Sequence, residues 1–140
     1  MKAILKLLTF IAFAIIFQAC KNEDLKTVTT TTTDNYNIVV LSDKGSIKNG
    51  KGKFYLEFQN AANNQPVNVG NVRVQANMPM PGMPMVNDAE VSNTDKPGRY
   101  AVKYDLSMIG NWTMNVRFDD NKSVTLPVTV NWIPQLKEYE

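Results

Sequence analysis

The sequence contains no histidine and only one cysteine, Cys20, among its 140 residues. Histidine is the usual proton acceptor in acid–base and nucleophilic catalysis, so its absence removes the commonest catalytic constellations. Without histidine or a second cysteine, the chain also lacks the ligands of a blue-copper centre and of a structural zinc site. A single cysteine forms no intramolecular disulfide. The composition therefore argues against these classes of enzyme and metal centre.

Within the predicted folded domain, only two close pairs of acidic side chains occur, and both have ordinary explanations. Asp119 and Asp120 fall in a turn sequence, where aspartate is favoured by its local hydrogen bonding. Asp88 and Glu90 would share one face of a short strand, where solvated carboxylates are expected. The sequence shows no catalytic constellation, and we predict that the protein is not an enzyme.

Long apolar runs are also absent, apart from one segment near the amino terminus. Lys2 and Lys6 lead into the apolar residues 7–17, a run that is shorter than the roughly 20 residues that a membrane-spanning helix needs. A short basic region followed by a short apolar region is typical of a signal peptide. We predict that residues 1–19 form a signal peptide and are removed during export.

The residues around Cys20 predict a lipid anchor. Phe17 is bulky where ordinary signal cleavage prefers a small residue, and the stretch IIFQAC resembles the box of bacterial lipoproteins, whose cysteine is lipidated. We prefer this interpretation to a spare thiol, because the only cysteine stands where the lipid would be attached. The stretch CKNEDL resembles the export signal of Bacteroidetes-like lipoproteins. We therefore expect an outer-membrane lipoprotein of the cell envelope, facing the periplasm or the cell surface.

The net charge of the predicted mature chain excludes a further class of partner. Lys2 and Lys6 are two of the 15 basic residues, and none of the 13 acidic residues lies in the signal peptide, so 13 charges of each sign remain. A neutral chain lacks the basic excess that neutralises nucleic-acid phosphates. We expect no nucleic-acid partner, whereas the membrane is a partner through lipidated Cys20.

The segment after the anchor is polar and rich in threonine. Residues 20–35 include six threonines within residues 27–33 and have little to bury, which predicts a lipidated cysteine followed by a disordered stalk. Threonine also favours strands, so an edge strand that begins early is the alternative. We assign residues 36–134 to one folded domain and residues 135–140 to a carboxyl-terminal tail.

From residue 36 onward, apolar and polar residues alternate with a period of two, which is typical of strands with one solvated face. The alternation is clearest in residues 54–58, 72–76, 100–106, 112–118 and 124–132. Turn sequences separate these runs, among them Pro97-Gly98, which suits the central positions of a type II turn. About seven short strands with turns between them predict an all-β fold, an immunoglobulin-like antiparallel β-sandwich. A small barrel is the alternative.

Residues 77–86, NMPMPGMPMV, concentrate methionine and proline in one short stretch. The first two methionines continue the inward parity of the preceding strand, so they are candidates for the core. The other two follow Pro81-Gly82, where a bend would bring sulfurs from both sides toward one point. The candidate metal ligands in this stretch are Met78, Met80, Met83 and Met85.

Thioether sulfur is soft and neutral, so it favours Cu(I) over hard or borderline ions, and Ag(I) would behave similarly. Met108 or Met114 is a candidate for an additional ligand. Such a site would depend little on pH, because methionine loses no proton when it binds. The alternative hypothesis needs no metal, since methionine also fills irregular gaps in cores and forms adaptable docking surfaces.

Residues 71–118 resemble the YtkA-like domain, a bacterial envelope family with an immunoglobulin-like sandwich. The resemblance lies in the Met-Pro loop, in Pro97-Gly98-Arg99-Tyr100, and in Met108-Ile109-Gly110-Asn111-Trp112 leading into an alternating strand. Related domains occur beside metal-efflux adaptors and in copper-associated envelope proteins. The resemblance therefore implies a metal-handling role for the four loop methionines and an envelope or efflux protein as partner. The alternative is a protein-interaction module that docks an envelope partner through the same loop.

Overall fold

The computed structural model describes residues 24–132. The predicted signal peptide at 1–19, the predicted lipid anchor Cys20 and the predicted tail at 135–140 lie outside these residues. Within the described residues, no helix is long and apolar enough to cross a membrane.

Nine strands form the described chain: β1 (Lys26–Thr32), β2 (Tyr36–Ser42), β3 (Ile47–Lys48), β4 (Gly50–Asn60), β5 (Arg73–Met78), β6 (Met85–Asn93), β7 (Arg99–Leu106), β8 (Gly110–Phe118) and β9 (Lys122–Asn131). They make one continuous sheet in the order β1-β2-β4-β7-β6-β5-β8-β9-β3. Neighbouring strands are antiparallel, except that β3 runs parallel to β9. The all-β prediction is confirmed, with nine strands in one sheet where about seven in a sandwich were predicted.

Strand β6 belongs to both halves of the sheet. Its first part pairs with β5 as far as Ala89, and its second part pairs with β7 from Glu90 onward. One strand therefore changes partner between two adjacent residues, which joins β1, β2, β4 and β7 to β5, β8, β9 and β3.

The chain also crosses between the two halves directly after β2. The hydroxyl of buried Ser42 accepts the Ser46 N–H at 2.9 Å and donates to the Ser46 carbonyl at 3.0 Å. This closed turn directs the chain into β3, where Ile47 pairs with Val130 of β9. The two crossings fold the sheet over one core.

The core takes its side chains from both halves of the sheet. The alternation in β4, β7, β8 and β9 predicted which residues point inward, and the structure buries most of them, among them Phe58, Tyr100 and Phe118. The prediction is wrong for Trp132, which follows the end of β9 and is 65% exposed. The Phe58 ring lies 5.6 Å from that of Tyr100 and 5.0 Å from that of Phe118. Fully burying a side chain of this kind contributes about 1.5–3 kcal/mol. This apolar burial is the main stabilising term.

Strand β1 corrects the prediction of a disordered stalk. Lys26–Thr32 pair with β2, from Lys26 opposite Ser42 to Thr32 opposite Asn37. The stalk prediction for residues 20–35 is therefore wrong for these residues, and the alternative of an early edge strand describes them. β-branched threonines fit a pleated surface, and Val28 packs against the core. The folded domain begins ten residues before the predicted boundary at 36.

The connections between strands lie at two opposite ends of the sheet. At one end, which we call the hairpin end, the chain enters β1 and leaves β9, and residues 43–46, 79–84 and 107–109 connect strands there. At the opposite end, the connections are residues 33–35, 61–72, 94–98 and 119–121.

Gly98 occupies a turn at the opposite end that was predicted from Pro97-Gly98. The Arg99 N–H donates to the Lys96 carbonyl at 3.3 Å, and Gly98 has a φ of +71°. A Cβ on Gly98 would lie 2.8 Å from the carbonyl oxygens of Phe58 and Val67. Both the left-handed backbone and the crowding require glycine here.

We predict that Gly98→Ala destabilises the protein more than Gly70→Ala does. Gly70 has a similar φ of +76° but nothing within 4 Å of its added Cβ, so it reports the backbone strain alone. That strain is about 1–2 kcal/mol for either variant, and overpacking adds about 1–3 kcal/mol at Gly98. Urea unfolding of both variants measures the difference. Equal losses would show that the contact with the two carbonyls is unimportant.

Glu57 and Arg99 form a partly buried ion pair across β4 and β7. The Arg99 Nε and Nη2 atoms donate to Glu57 Oε2 at 3.0 and 2.6 Å, and Gln59 Nε2 donates to Oε1 at 2.7 Å. Burial by itself raises the pKa of Glu57, but the hydrogen bonds from Arg99 and Gln59 outweigh it and lower the pKa below its usual value. The folded state therefore favours the carboxylate.

A lowered pKa in the folded state gives stability that is present above the unfolded pKa of about 4.5 and is lost as the pH falls below it. We predict that Glu57→Gln lowers the free energy of unfolding by about 1–2 kcal/mol at neutral pH. The difference from the wild type should shrink in acid, as followed by urea unfolding across this pH range. Glu90→Gln is the control, because Glu90 is exposed and lies 4.0 Å from Lys103. A constant difference at all pH values would contradict this role for Glu57.

Candidate functional site

The methionine stretch forms a β-hairpin from β5, residues 79–84 and β6. The strands pair in register up to Met78 opposite Met85. Pro79 and Pro84 come next on either side, and because proline has no N–H to donate, they end the ladder there. Gly82 has a φ of +88°, which glycine adopts without strain. The chain therefore reverses around Pro81-Gly82, where the sequence predicted a bend.

Met78 and Met85 lie at the base of this hairpin on the same face of the sheet. Directly opposed residues of an antiparallel pair have Cβ atoms about 4.5–5.5 Å apart. Both side chains are partly buried and pack against the core. The Met78 methyl carbon lies 2.9 Å from where a Cβ on Gly110 would be, so Gly110 leaves the space that Met78 occupies. These two thioethers have a packing role.

Met80 and Met83 lie in the loop on either side of Pro81-Gly82. Met80 is partly buried, and Met83 is 79% exposed. Their positions mirror those of Met78 and Met85 about the centre of the hairpin. All four predicted residues thus lie on one hairpin. Those at its base are partly buried, and Met83 at its tip is exposed.

The two candidates for an additional ligand have different surroundings. Met114 is 1% exposed and lies in β8 between Ala76 and Leu126, inside the core. Met108 is 38% exposed in the turn 107–109 at the hairpin end, and its carbonyl accepts the Trp112 Nε1–H at 3.0 Å. Of the two, only Met108 has a side chain on the surface that the hairpin shares.

Hard ligands do not gather at this site. Across residues 24–132, no three or more His, Cys, Asp or Glu side chains are grouped so that they could hold a metal ion. The nearest acidic residue on β6, Asp88, accepts a hydrogen bond from Gln75 Nε2 at 2.8 Å. The chemistry that the hairpin offers is therefore that of neutral thioethers, whose affinity for an ion needs no deprotonation.

One supporting contact was not predicted from the sequence. Asn87 of β6 donates its side-chain amide to the Asp105 carbonyl of β7 at 2.9 Å. This bond ties the hairpin to the neighbouring strand before their regular pairing begins at Glu90. The bond joins residues 18 positions apart in the chain, so no local pattern in the sequence marked this residue.

Comparison with known proteins gives one family. The family described as YtkA-like matches residues 30–117, which include the whole hairpin. No curated protein matches the chain.

Among solved structures, domains 4 and 5 of the S-layer protein SbsC are similar, with a TM-score of 0.41 and 21% identity over 76% of this chain and 51% of that chain. A structure of SbsC domains 1–6 has a TM-score of 0.45 and 20% identity, covering 82% of this chain and 14% of that chain. The chain thus spans about half of the first of these proteins and a smaller part of the second.

We predict that the base and the tip of the hairpin differ in their effect on stability. Met78→Ala should lower the free energy of unfolding by about 1–2 kcal/mol, less than the loss typical of a fully buried methionine. Met83→Ala should change it by no more than about 0.5 kcal/mol, because its side chain is exposed. Met78→Leu keeps the volume and should cost less than Met78→Ala. Thermal and urea unfolding provide the test, and a large loss at Met83 would contradict this description of the tip.

Proposed function

The chain belongs to the YtkA-like family, and on this premise we propose that it is a lipid-anchored envelope protein that captures Cu(I) or Ag(I) at its methionine hairpin. The protein acts by binding and hand-over, and catalyses no reaction. The observation that carries the proposal is the register of the hairpin, which sets Met78 opposite Met85 and leaves Met80 and Met83 in the connecting loop.

The hairpin suits a soft ion because its candidate ligands are close in the chain and already held in place. Two of them are fixed by strand pairing, and prolines restrict the backbone between all four. A site with this much prior order loses less conformational entropy on binding than a flexible tail would. Only sulfur is offered, which favours Cu(I) and Ag(I) over zinc or calcium.

The graded exposure of the four residues suggests how an ion enters and leaves. Met83, which is 79% exposed, meets an incoming ion first. Met80 and the partly buried pair at the base complete the site from below. Because all the ligands are neutral and exchangeable, an envelope or efflux protein that offers stronger ligands can take the ion from the open side. Binding and release follow without uptake or loss of protons.

A second function is favoured by one specific observation. Met83 and Val86, both on the hairpin, are 79% and 57% exposed. Exposed, adaptable apolar side chains of this kind also mark surfaces that dock proteins. In this alternative, the hairpin binds an envelope partner directly and no metal takes part.

We also infer that the nine-stranded sheet is arranged as an immunoglobulin-like sandwich. The change of partner within β6 and the contribution of both halves to one core support this arrangement. The proposed anchor is Cys20, six residues before β1 begins. An outer-membrane lipoprotein of the envelope, facing the periplasm or the cell surface, fits this organisation.

Titration of the full chain in detergent with Cu(I), against a competing chelator, separates the two functions. We expect stoichiometric binding that changes little between mildly acidic and neutral pH, because no ligand titrates. Met80→Leu combined with Met83→Leu should abolish this binding, since leucine keeps most of the volume and removes the sulfur.

Met114→Leu is the matched control, because it makes the same change at a methionine that is 1% exposed inside the core. Its binding should equal that of the wild type. If the wild type binds no Cu(I) and no Ag(I), the metal proposal fails and the docking function takes its place.

A further inference from the structure

We propose that the hairpin end of the domain rests on the surface of the bilayer that holds its lipid anchor, with the exposed side chains of Met108, Ile109 and Trp132 in the interface and lysines against anionic headgroups. This inference rests on the lipid anchor of the proposed function and not on metal binding. It assigns a partner to a surface that neither the hairpin's chemistry nor the family explains.

The exposed apolar residues of the described chain are confined to one end. Within residues 24–132, the large hydrophobic side chains that are exposed all lie at or beside the hairpin end, and they are Met83 (79%), Val86 (57%), Met108 (38%), Ile109 (55%) and Trp132 (65%). Scattered exposed hydrophobic residues are ordinary, but their collection on one surface marks an interaction site.

Strand pairing makes these residues neighbours. Gly110 pairs with Val130, which places the turn 107–109 beside the end of β9 and hence beside Trp132. The Met78 methyl group lies over Gly110, so the methionine hairpin adjoins the same turn. Tryptophan with an exposed ring is the residue most characteristic of the membrane–water interface.

The charge of this end complements an anionic bilayer. A cleft of about 420 Å³ opens beside the start of β1 and β4, and its lining includes Lys44, Lys48, Lys51 and Lys53 together with Asp24 and Asp43. Lys26 also lies at this end, and Asp105 of β7 lies opposite Lys51 of β4 in the strand register. These residues comprise five basic side chains and three acidic ones, so the hairpin end has a basic excess.

The opposite end has no basic excess. Its turns contain four aspartates and one lysine, and the strand ends beside them add one glutamate and four basic residues, which makes five charges of each sign: Asp34, Asp95, Asp119, Asp120 and Glu57 against Lys96, Arg73, Arg99, Arg117 and Lys122. Anionic headgroups would therefore attract the hairpin end more than this one. Attraction of each lysine near an anionic surface changes the equilibrium about fivefold.

The proposed tether reaches the domain at the same end. β1 begins at Lys26, which pairs with Ser42, and Asp24 and Leu25 line the lysine cleft. Lys26 is six positions after Cys20, and six steps of about 3.3–3.6 Å span at most about 22 Å. Because residues 26–32 are a strand and not a stalk, a lipid on Cys20 holds the hairpin end within that distance of the bilayer.

Tryptophan fluorescence of the full, lipidated chain tests this orientation. The protein has two tryptophans, of which Trp112 is 2% exposed and Trp132 is 65% exposed. In vesicles of phosphatidylglycerol and phosphatidylcholine with brominated acyl chains, we expect the Trp132 emission to shift to the blue and to be quenched. Trp132→Phe should remove this quenching and leave the emission of Trp112.

A pair of lysine variants tests the role of charge. Lys44→Gln, at the hairpin end, should shift the docking equilibrium about fivefold toward the undocked state, with less quenching. Lys96→Gln makes the same change in an exposed turn at the opposite end and should leave the quenching unaltered. In vesicles of pure phosphatidylcholine, which carry no net charge, the quenching of the wild type should be weaker than in anionic vesicles. Lys44→Gln should lose less quenching than the wild type does when the anionic lipid is left out.

Two results would overturn the proposal. One is a Trp132 that is not quenched by brominated lipid and stays accessible to aqueous iodide, which would leave this end in solvent. The other is a Trp132 that is shielded from iodide without lipid quenching while the particle mass doubles, which would make a second copy the occupant.

A separate measurement shows whether the lipid anchor of the proposed function is absent. Intact mass shows whether Cys20 carries lipid, and if it does not, sedimentation of the unlipidated chain with the same anionic vesicles still reports whether the hairpin end binds them. The Cu(I) titration depends on neither result.

Discussion

The change of pairing partner within β6 holds the two halves of the sheet together. Because pairing with β5 stops at Ala89 and pairing with β7 starts at Glu90, one strand connects both halves of the sheet over a shared core. The same register fixes Met78 opposite Met85 and projects the loop that carries Met80 and Met83 from the end of the domain. Fold and candidate site therefore have one origin, the pairing of β5 with β6.

The hairpin combines two uses of methionine that sequence patterns present as competing hypotheses. At its base, Met78 and Met85 pack against the core, and at its tip Met83 is exposed. Packing at the base fixes two of the thioethers and the two strand ends that the loop connects, so a structural role at the base is compatible with the proposed binding role of all four methionines. The proposed capture of a soft ion and the proposed contact with the bilayer share this end of the domain, which brings an ion site close to the membrane that its partners would occupy.

The sequence predicted those features that depend on local pattern. Alternation identified the inward residues of β4, β7, β8 and β9, and Pro97-Gly98 identified a turn whose glycine has a positive φ. Prediction from the sequence failed where the structure depends on pairing between distant strands. Threonines 27 and 29–32 are polar enough to be solvated, but they form backbone hydrogen bonds with β2 and make up strand β1. The partner change in β6, the Asn87 bond to Asp105 and the ion pair of Glu57 with Arg99 join residues distant in the chain, and no local signal marks them.

In the proposed site, thioethers from both sides of Pro81-Gly82 bind one ion. X-ray absorption spectroscopy of the protein loaded with Cu(I) or Ag(I) identifies the atoms bound to the metal. We expect a shell made of sulfur, which loses sulfur when Met80 and Met83 are replaced by leucine. A shell of oxygen or nitrogen, or a sulfur shell that is unchanged by those replacements, would rule this site out.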